Sequence, residues 1–522
     1  MSEREGRVFL VGAGPGAADL ITMRAVDSLE RADTVVYDAL VNPDLLRFAP
    51  NGAELIFAGK RGGGGRAFEQ DDLSQILVER ARRGEIVVRL KGGDPFIFGR
   101  GGEEAEALAA ANVAFEIVPG VTSAIAGPAF AGIPVTHRER GSFVAFVTAH
   151  EDESNAARPA TPWKELAAAA RGRGTLVILM ASARMRAALE RLEQAGLPAA
   201  TPAAAVQWAT TAAQKTVRGT IETLAERCER AELGAPAVIV VGECAGLGEY
   251  LRWYERMPLF GRRIVVTRTR SHASGFARDL RRLGAEAIEF PTIDTVPPTS
   301  YTAIDRALAR LADFDWIIFT SATGVEGFIA RLKALGRDIR AIGSAKLAAI
   351  GPATAARLGD YALHVDAMPT EFRAEAIVPA IGDERIRGAR FLIPRAEVAR
   401  EALPELLRIK GAREVVVAPA YRTVKPQGAA VERIRELVAS GSIDMVTFTS
   451  SSTVTNFYEL AGASAAGLKA AAIGPITAKT AAELGFEVVV KPAQYTIAAL
   501  TAAIRDHFSA EVARNVAPSG AS

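Results

Sequence analysis

Residues 89–104 read Arg-Leu-Lys-Gly-Gly-Asp-Pro-Phe-Ile-Phe-Gly-Arg-Gly-Gly-Glu-Glu, continuing an apolar run that starts at Ile86. A strand ending in Gly92-Gly93-Asp94-Pro95 offers bare main chain at its tip, because residues without a Cβ let a ligand approach closely. A second glycine turn then releases a helix near Glu103. The same alternation runs outward in both directions. Val8–Val11, Thr34–Tyr37, Ile86–Leu90, Phe143–Thr148, Leu176–Met180 and Ala237–Val241 are the predicted strands of the first half. Amphipathic, Ala-rich stretches separate them, which points to an α/β protein with parallel sheets. The charged, Pro-containing stretch 151–163 reads as an exposed loop.

A chain of 522 residues is too long for one core, and roughly 150 residues per domain suggests three or four. The net charge of +2 gives no global signature of nucleic acid or a membrane surface. Anionic ligands must therefore be met by local clusters of Arg and Lys. The two cysteines, Cys228 and Cys244, have no Cys or His partner at metal-ligand spacing, so neither a disulfide framework nor a metal site is expected. The N-terminus enters a strand at once, without a signal peptide or a long apolar run, which suggests a cytoplasmic enzyme. With only five histidines, proton transfer falls to carboxylates, Lys, Tyr or water.

Near residues 246–262 the pattern becomes polar and aromatic and stops at Pro258 and Gly261. This divides the chain into 1–246, a linker 247–261 and 262–510, with the first part split again near 125–140. So short a linker keeps the halves close. The second half repeats itself. GRRIVVTRTR (261–270) is echoed by GARFLIPRAE (388–397), and DFDWIIFTSATGVEGF (313–328) by SIDMVTFTSSSTVTNF (442–457). KLAAIGPATAARLGDYALHV (346–365) is echoed by LKAAAIGPITAKTAAELGFEVVV (468–490). Three ordered pairs mean a duplicated α/β unit of about 125–130 residues.

The first glycine turn, Gly12-Ala13-Gly14-Pro15-Gly16-Ala17, fits a loose dinucleotide fingerprint with Asp38 ending the next strand. Pro15 counts against pyrophosphate binding, since it removes an N–H where the motif wants donors. With VGAGPG (11–16), VVYD (35–38), GKR (59–61), RLKGGDPFIFGRGGEE (89–104), VPGVTSA (118–124), AGIPVTHR (131–138) and Met180 in this order, the first half resembles the uroporphyrinogen-III C-methyltransferases of the tetrapyrrole methylase family. The resemblance implies two α/β domains with S-adenosylmethionine between them, S-adenosylhomocysteine as product, and a homodimer formed through this half. By position, Pro15, Gly92, Gly93, Asp94, Ile97, Thr122, Ser123, Met180 and Ala209 match its cofactor contacts. Asp38 and Lys60 match its acid–base groups, although Asp38 also suits a helix cap. Arg100, Glu103 and Arg138 match residues that handle substrate, and Arg100 with Glu103 equally suits a pair across one helical turn. The acceptor carries eight carboxylates, and Lys60, Arg61, Arg66, Lys91, Arg100, Arg138 and Arg140 are candidate cations for it. Ala149, Ser74, the run Gly62–Gly65 and Trp208-Ala209 depart from the family pattern around the substrate loops.

The second half resembles uroporphyrinogen-III synthase through VTRTR (266–270), FTSATGV (319–325), AIGPATA (349–355), APAYRT (418–423), FTSSSTV (448–454) and AIGPITA (472–478). The resemblance implies two lobes, one from 262–297 plus 424–510 and the other from 298–423, joined through Pro291–Pro298 and Pro419–Pro426. Turns at Thr320-Ser321, Gly351-Pro352, Thr449-Ser450 and Gly474-Pro475 lead strands into helices, where N–H groups suit carboxylates. Tyr421 matches the family's candidate acid, with packing at the hinge as its plain alternative. The whole chain thus reads as a bifunctional enzyme that makes uroporphyrinogen III from hydroxymethylbilane and methylates it twice to precorrin-2, for sirohaem or cobalamin. The rival readings are a methylase of another substrate, or an active methylase whose second half only binds tetrapyrroles. No nucleic acid or membrane partner is expected.

Overall fold

The computed structural model describes residues 5–50, 52–59, 70–149, 161–268, 270–371, 374–399 and 401–516. Four five-stranded sheets organise the described residues. The first contains β1 (Arg7–Gly12), β2 (Thr34–Tyr37), β3 (Glu54–Phe57), β4 (Ile86–Lys91) and β5 (Phe115–Val118), in the order β3-β2-β4-β1-β5. All its pairings are parallel, so every strand tip faces the same edge. Helices cover both faces: Val8, Leu77 and Leu108 pack on one side, Val11, Leu29 and Val88 on the other.

The second sheet holds β6 (Phe143–Thr148), β7 (Gly174–Leu179), β8 (Pro202–Gln207), β9 (Lys215–Thr220) and β10 (Ala237–Val241), in the order β6-β7-β10-β8-β9. Only β6 and β7 run parallel; β7–β10, β10–β8 and β8–β9 are antiparallel. This corrects the expectation of parallel sheets throughout. The connection 208–214 holds no helix, and a link that short joins antiparallel neighbours.

The rest of the chain adds β11 (Arg263–Val266), β12 (Glu286–Glu289), β13 (Asp294–Val296), β14 (Trp316–Phe319), β15 (Lys346–Ala349), β16 (Arg390–Ala396), β17 (Glu414–Val424), β18 (Met445–Phe448), β19 (Lys469–Ala472) and β20 (Glu487–Val490). The third sheet runs β12-β11-β18-β19-β20 and the fourth β13-β17-β16-β14-β15. The echoed segments therefore stand in matching places, β12-β11-β18-β19 against β17-β16-β14-β15. Each sheet takes its first strands from one repeat and its later strands from the other. The chain crosses between the sheets where β13 pairs antiparallel with the far end of β17, Val296 opposite Arg422.

The segment between the halves is ordered by its aromatic residues. The Trp253 indole donates to Ala129 O (2.9 Å), and the Tyr254 hydroxyl to Thr210 O (3.2 Å). Tyr254 also meets Phe130 and Phe260 edge-on, at 4.8 and 5.2 Å between centroids. Arg47 pairs with Glu289 at 2.7 Å and Arg433 with Asp44, so the third sheet's layer docks on the first half. Among the described residues no helix is long and apolar enough to cross a membrane.

Candidate active site

Strands β1, β4 and β5 end side by side, and glycine lets their backbones touch. Gly93 N–H donates to Gly14 O (2.7 Å) and Gly14 N–H to Gly93 O (3.1 Å). A Cβ on Gly120 would lie 2.3 Å from Gly93 O and 2.7 Å from the Cα of Gly12. Gly93 has φ +71°, a conformation that favours glycine, and faces Thr122 and Ser123. Asp94 stitches the turn: its Oδ2 accepts from Gly120 N–H (3.0 Å) and its Oδ1 from Phe96 N–H (2.8 Å). The carboxylate expected to meet the cofactor is already engaged within the chain.

The next loop reaches the second sheet. The Ala17 N–H donates to Thr210 Oγ1 (3.0 Å), and a Cβ on Gly16 would lie 3.2 Å from Ala209 O. Asn42 Nδ2 holds Gly16 O at 2.8 Å. The Gly14–Gly93 and Gly16–Ala209 contacts thus make a rim where two sheets abut, with Thr122 and Ser123 facing Gly93 and with Pro15, Gly92 and Asp94 next to these contacts in the chain. Thr122 caps the helix Ser123–Phe130. Ile97 is half-buried in the turn beyond Asp94, and Met180, 49% exposed with φ +55°, closes β7.

Asp38 follows β2 beside the tip of β4, and its Oδ1 lies 2.5 Å from Arg89 Nη2. Gly59 packs against Ala39, the residue after Asp38. Lys60, Arg61 and Arg66 lie outside the described residues. Arg100 has φ +59° and pairs with Glu103 at 2.7 Å, both side chains more than half exposed. The pairing across one helical turn is thus formed, on the open side of the glycine turn. Arg138 is exposed in a turn closed by the His137–Gly141 bridge, where His137 Nδ1 accepts from Glu139 N–H (3.2 Å). Lys91 corrects the sequence reading. It is 3% exposed and donates to Glu104 Oε1 at 2.8 Å, so it is no surface cation for a substrate. Arg89 and Glu104 were not singled out; two cations at alternate positions of a central strand were the available signal.

In the second half the Tyr421 hydroxyl lies 3.0 Å from Ser321 Oγ, bringing together residues a hundred positions apart. Ser321 also caps the helix Ala322–Ala334 by accepting from Gly324 N–H (3.0 Å). In the other lobe Ser450 caps the helix Ser451–Ala461 through a capping box with Thr453. Gly351 and Gly474 precede helices that begin with Pro352 and Pro475. Thr320 and Thr449 are half-buried at the ends of β14 and β18. A separate cavity of about 520 Å³ lies at the seam between the halves, lined by Gly16 and Thr210 on one side and Arg278 and Arg281 on the other.

Comparison with known proteins agrees with both halves. A profile described as Tetrapyrrole (Corrin/Porphyrin) Methylases matches residues 7–225, and one described as Uroporphyrinogen-III synthase HemD matches 274–502. The chain is similar to the porphyrin biosynthesis protein HemD of Ruminiclostridium josui, 35% identical over 93% of this chain and 95% of that one. It is similar to a uroporphyrinogen-III C-methyltransferase of Bacillus subtilis (strain 168), 44% identical over 48% of this chain and 95% of that one. A solved structure of uroporphyrin-III C-methyl transferase from Thermus thermophilus, complexed with S-adenyl homocysteine, covers 46% of this chain and 100% of its own at 34% identity and TM-score 0.40. The chain belongs to the tetrapyrrole methylases through its first half and to the HemD uroporphyrinogen-III synthases through its second.

Proposed function

We propose that the second half closes hydroxymethylbilane to uroporphyrinogen III and that the first half methylates this product twice, giving precorrin-2 for sirohaem or cobalamin. The observation that carries the reading is bare main chain at the strand tips with apolar side chains left uncovered beside those tips. Leu40, Phe96, Phe98, Met180 and Trp208 are each 41–54% exposed, at or beside the strand tips that form the glycine rim. Apolar side chains left uncovered beside bare main chain suit a planar macrocycle and a nucleoside.

The residues present fit S-adenosylmethionine. A Cβ at Gly93 would meet nothing nearer than 3.8 Å, so the turn keeps main chain open to a ligand. Met180 holds a left-handed backbone while half exposed, strain of the kind kept at functional sites. Gly92, Gly93 and Thr122 would hold the polar ends, with Ile97, Met180 and Ala209 against the apolar parts and Pro15, Asp94 and Ser123 shaping the rim. When bound, this group supplies a methyl on a cationic sulfur, which an electron-rich pyrrole carbon attacks. The chain's part is alignment and exclusion of water. Asp38, with Lys60, then takes the proton that the methylated ring must lose, while Arg61, Arg100, Glu103 and Arg138 handle the carboxylate-bearing rim of the substrate. A homodimer through this half is part of the reading, and light scattering at twice the chain mass checks it.

In the second half, Tyr421 protonates the departing hydroxyl of hydroxymethylbilane, and Ser321 fixes its orientation. Thr320, Thr449, Ser450 and the helix starts behind them receive carboxylates. The test gives the purified protein hydroxymethylbilane with and without S-adenosylmethionine. Uroporphyrinogen III alone without the donor, and a product two methyl groups heavier with it, is the expected outcome. Uroporphyrinogen I in both arms would overturn the synthase reading, and an unmethylated type III product in both arms the methylase reading.

A further inference from the structure

Beneath the rim lies a group of charges that the reaction above does not use. Arg89 and Lys91 stand at alternate positions of β4 and so face the same side of the sheet. That side is the one where Val87 packs with Leu73, Leu77 and Leu108. Glu104, fully buried on the helix Gly101–Ala110, receives both: Arg89 Nε at 3.1 Å and Lys91 Nζ at 2.8 Å reach its Oε1, joined by Gln70 Nε2 at 3.2 Å. Arg89 Nη1 lies 3.4 Å from the carbonyls of Val36 and Leu90, and its Nη2 2.5 Å from Asp38 Oδ1. No described donor reaches Glu104 Oε2.

Two anions and two cations cancel, but taking them out of water is costly, and apolar residues in such places are often as stable or more so. Burial, with Arg89 alongside, pushes the Lys91 ammonium below its ordinary value. Stability therefore does not account for this set. Its one member with substantial exposure is Asp38, 31% exposed, against 3% for Arg89, 4% for Lys91 and none for Glu104.

We propose that Arg89, clamped by Glu104, is a positioning residue that aims the Asp38 carboxylate into the methylase cleft, with Lys91 balancing the second charge on Glu104. The proposal rests on the reading of Asp38 as the acid–base group. Asp38 presents one oxygen to the guanidinium and is still 31% exposed, so Arg89 fixes a side chain that would otherwise turn freely.

The test uses the full chain, with S-adenosylmethionine binding by calorimetry as the measure of a folded first half. Arg89→Met is expected to lower kcat of methyl transfer about 10²-fold, the size of effect that misplacing a reacting group produces. KM for S-adenosylmethionine should stay within about twofold, since ground-state binding is not touched. Arg89→Lys should recover about tenfold, because an ammonium reaches one carboxylate where the guanidinium bridges two. In an Asp38→Asn background Arg89→Met should cost under about twofold more, as for residues acting as one unit. If Arg89→Met also loses S-adenosylmethionine binding, Arg89→Lys decides: a kcat below wild type at unchanged KM supports the proposal, and a wild-type kcat overturns it. Full activity in Asp38→Asn would overturn the reading of Asp38 itself. A slow Asp38→Asn beside an undisturbed Arg89→Met, or multiplicative losses in the double variant, would overturn the positioning role alone.

Discussion

The rim of the methylase half and the strand-to-helix turns of the synthase half finish their strand tips with different materials. In the first half three backbones touch through Gly12, Gly93 and Gly120, with a buried charge set behind them. In the second, hydroxyl caps such as Ser321 and Ser450 and the glycines before Pro352 and Pro475 leave helix starts open. A backbone-on-backbone joint tolerates no substitution, whereas a capped helix start tolerates many. The first design is brittle, and the second is shallow.

The hardest test of that contrast is Gly120→Val. Its side chain would overlap Gly93 O and Gly12 Cα, so a loss of about 3 kcal/mol is expected from the overpacking. Methyl transfer should disappear while ring closure persists, and retained methylation would break the brittle-joint argument. Next, Tyr421→Phe should slow ring closure about 10²-fold, in the range for a positioned acid, and leave methylation intact. Smaller again is a matched pair, Ser321→Ala and Ser450→Ala. Each removes a cap worth about 1 kcal/mol in denaturant melts and a hydroxyl beside the substrate, raising KM, but only Ser321→Ala also frees the Tyr421 hydroxyl and lowers kcat of ring closure. Equal kcat losses in both would show that the lobes share the chemistry.

The smallest effect concerns pH. Arg331 holds both oxygens of Asp305 at 2.6 Å and keeps this carboxyl below its ordinary 3.8. A depressed folded value means that the stabilisation is present above the unfolded value and fades as pH falls through the folded one. Asp305→Asn should thus be less stable than wild type near about pH 7 and equal to it in strong acid. A gap independent of pH would assign the loss to packing.

The long motifs of the first half were legible because a touching backbone demands glycine at fixed places, and that demand is written in the residues. The echoes of the second half were equally plain, since β14 and β18 repeat their apolar cores and Thr-Ser endings. What stayed hidden was set by partners distant in sequence. β8, with Ala203, Ala204 and Ala205 in a row, carries no strand signature and is a strand only because β9 and β10 flank it. The antiparallel run of the second sheet left no trace in periodicity, which is the same for either direction. Lys91 read as a cation awaiting substrate because burial by Glu104, thirteen residues later, is a tertiary fact.

The crossed arrangement of the two repeats limits how this half of the molecule can be divided. Residues 261–387 by themselves own the opening strands of one sheet and the closing strands of another, so they complete neither. Two such pieces would each have to lend a part to the other, interlocking like clasped hands. Severing the polypeptide near residue 387 should therefore leave fragments that gain structure only on mixing, while severing it before Arg262 should release a synthase already whole.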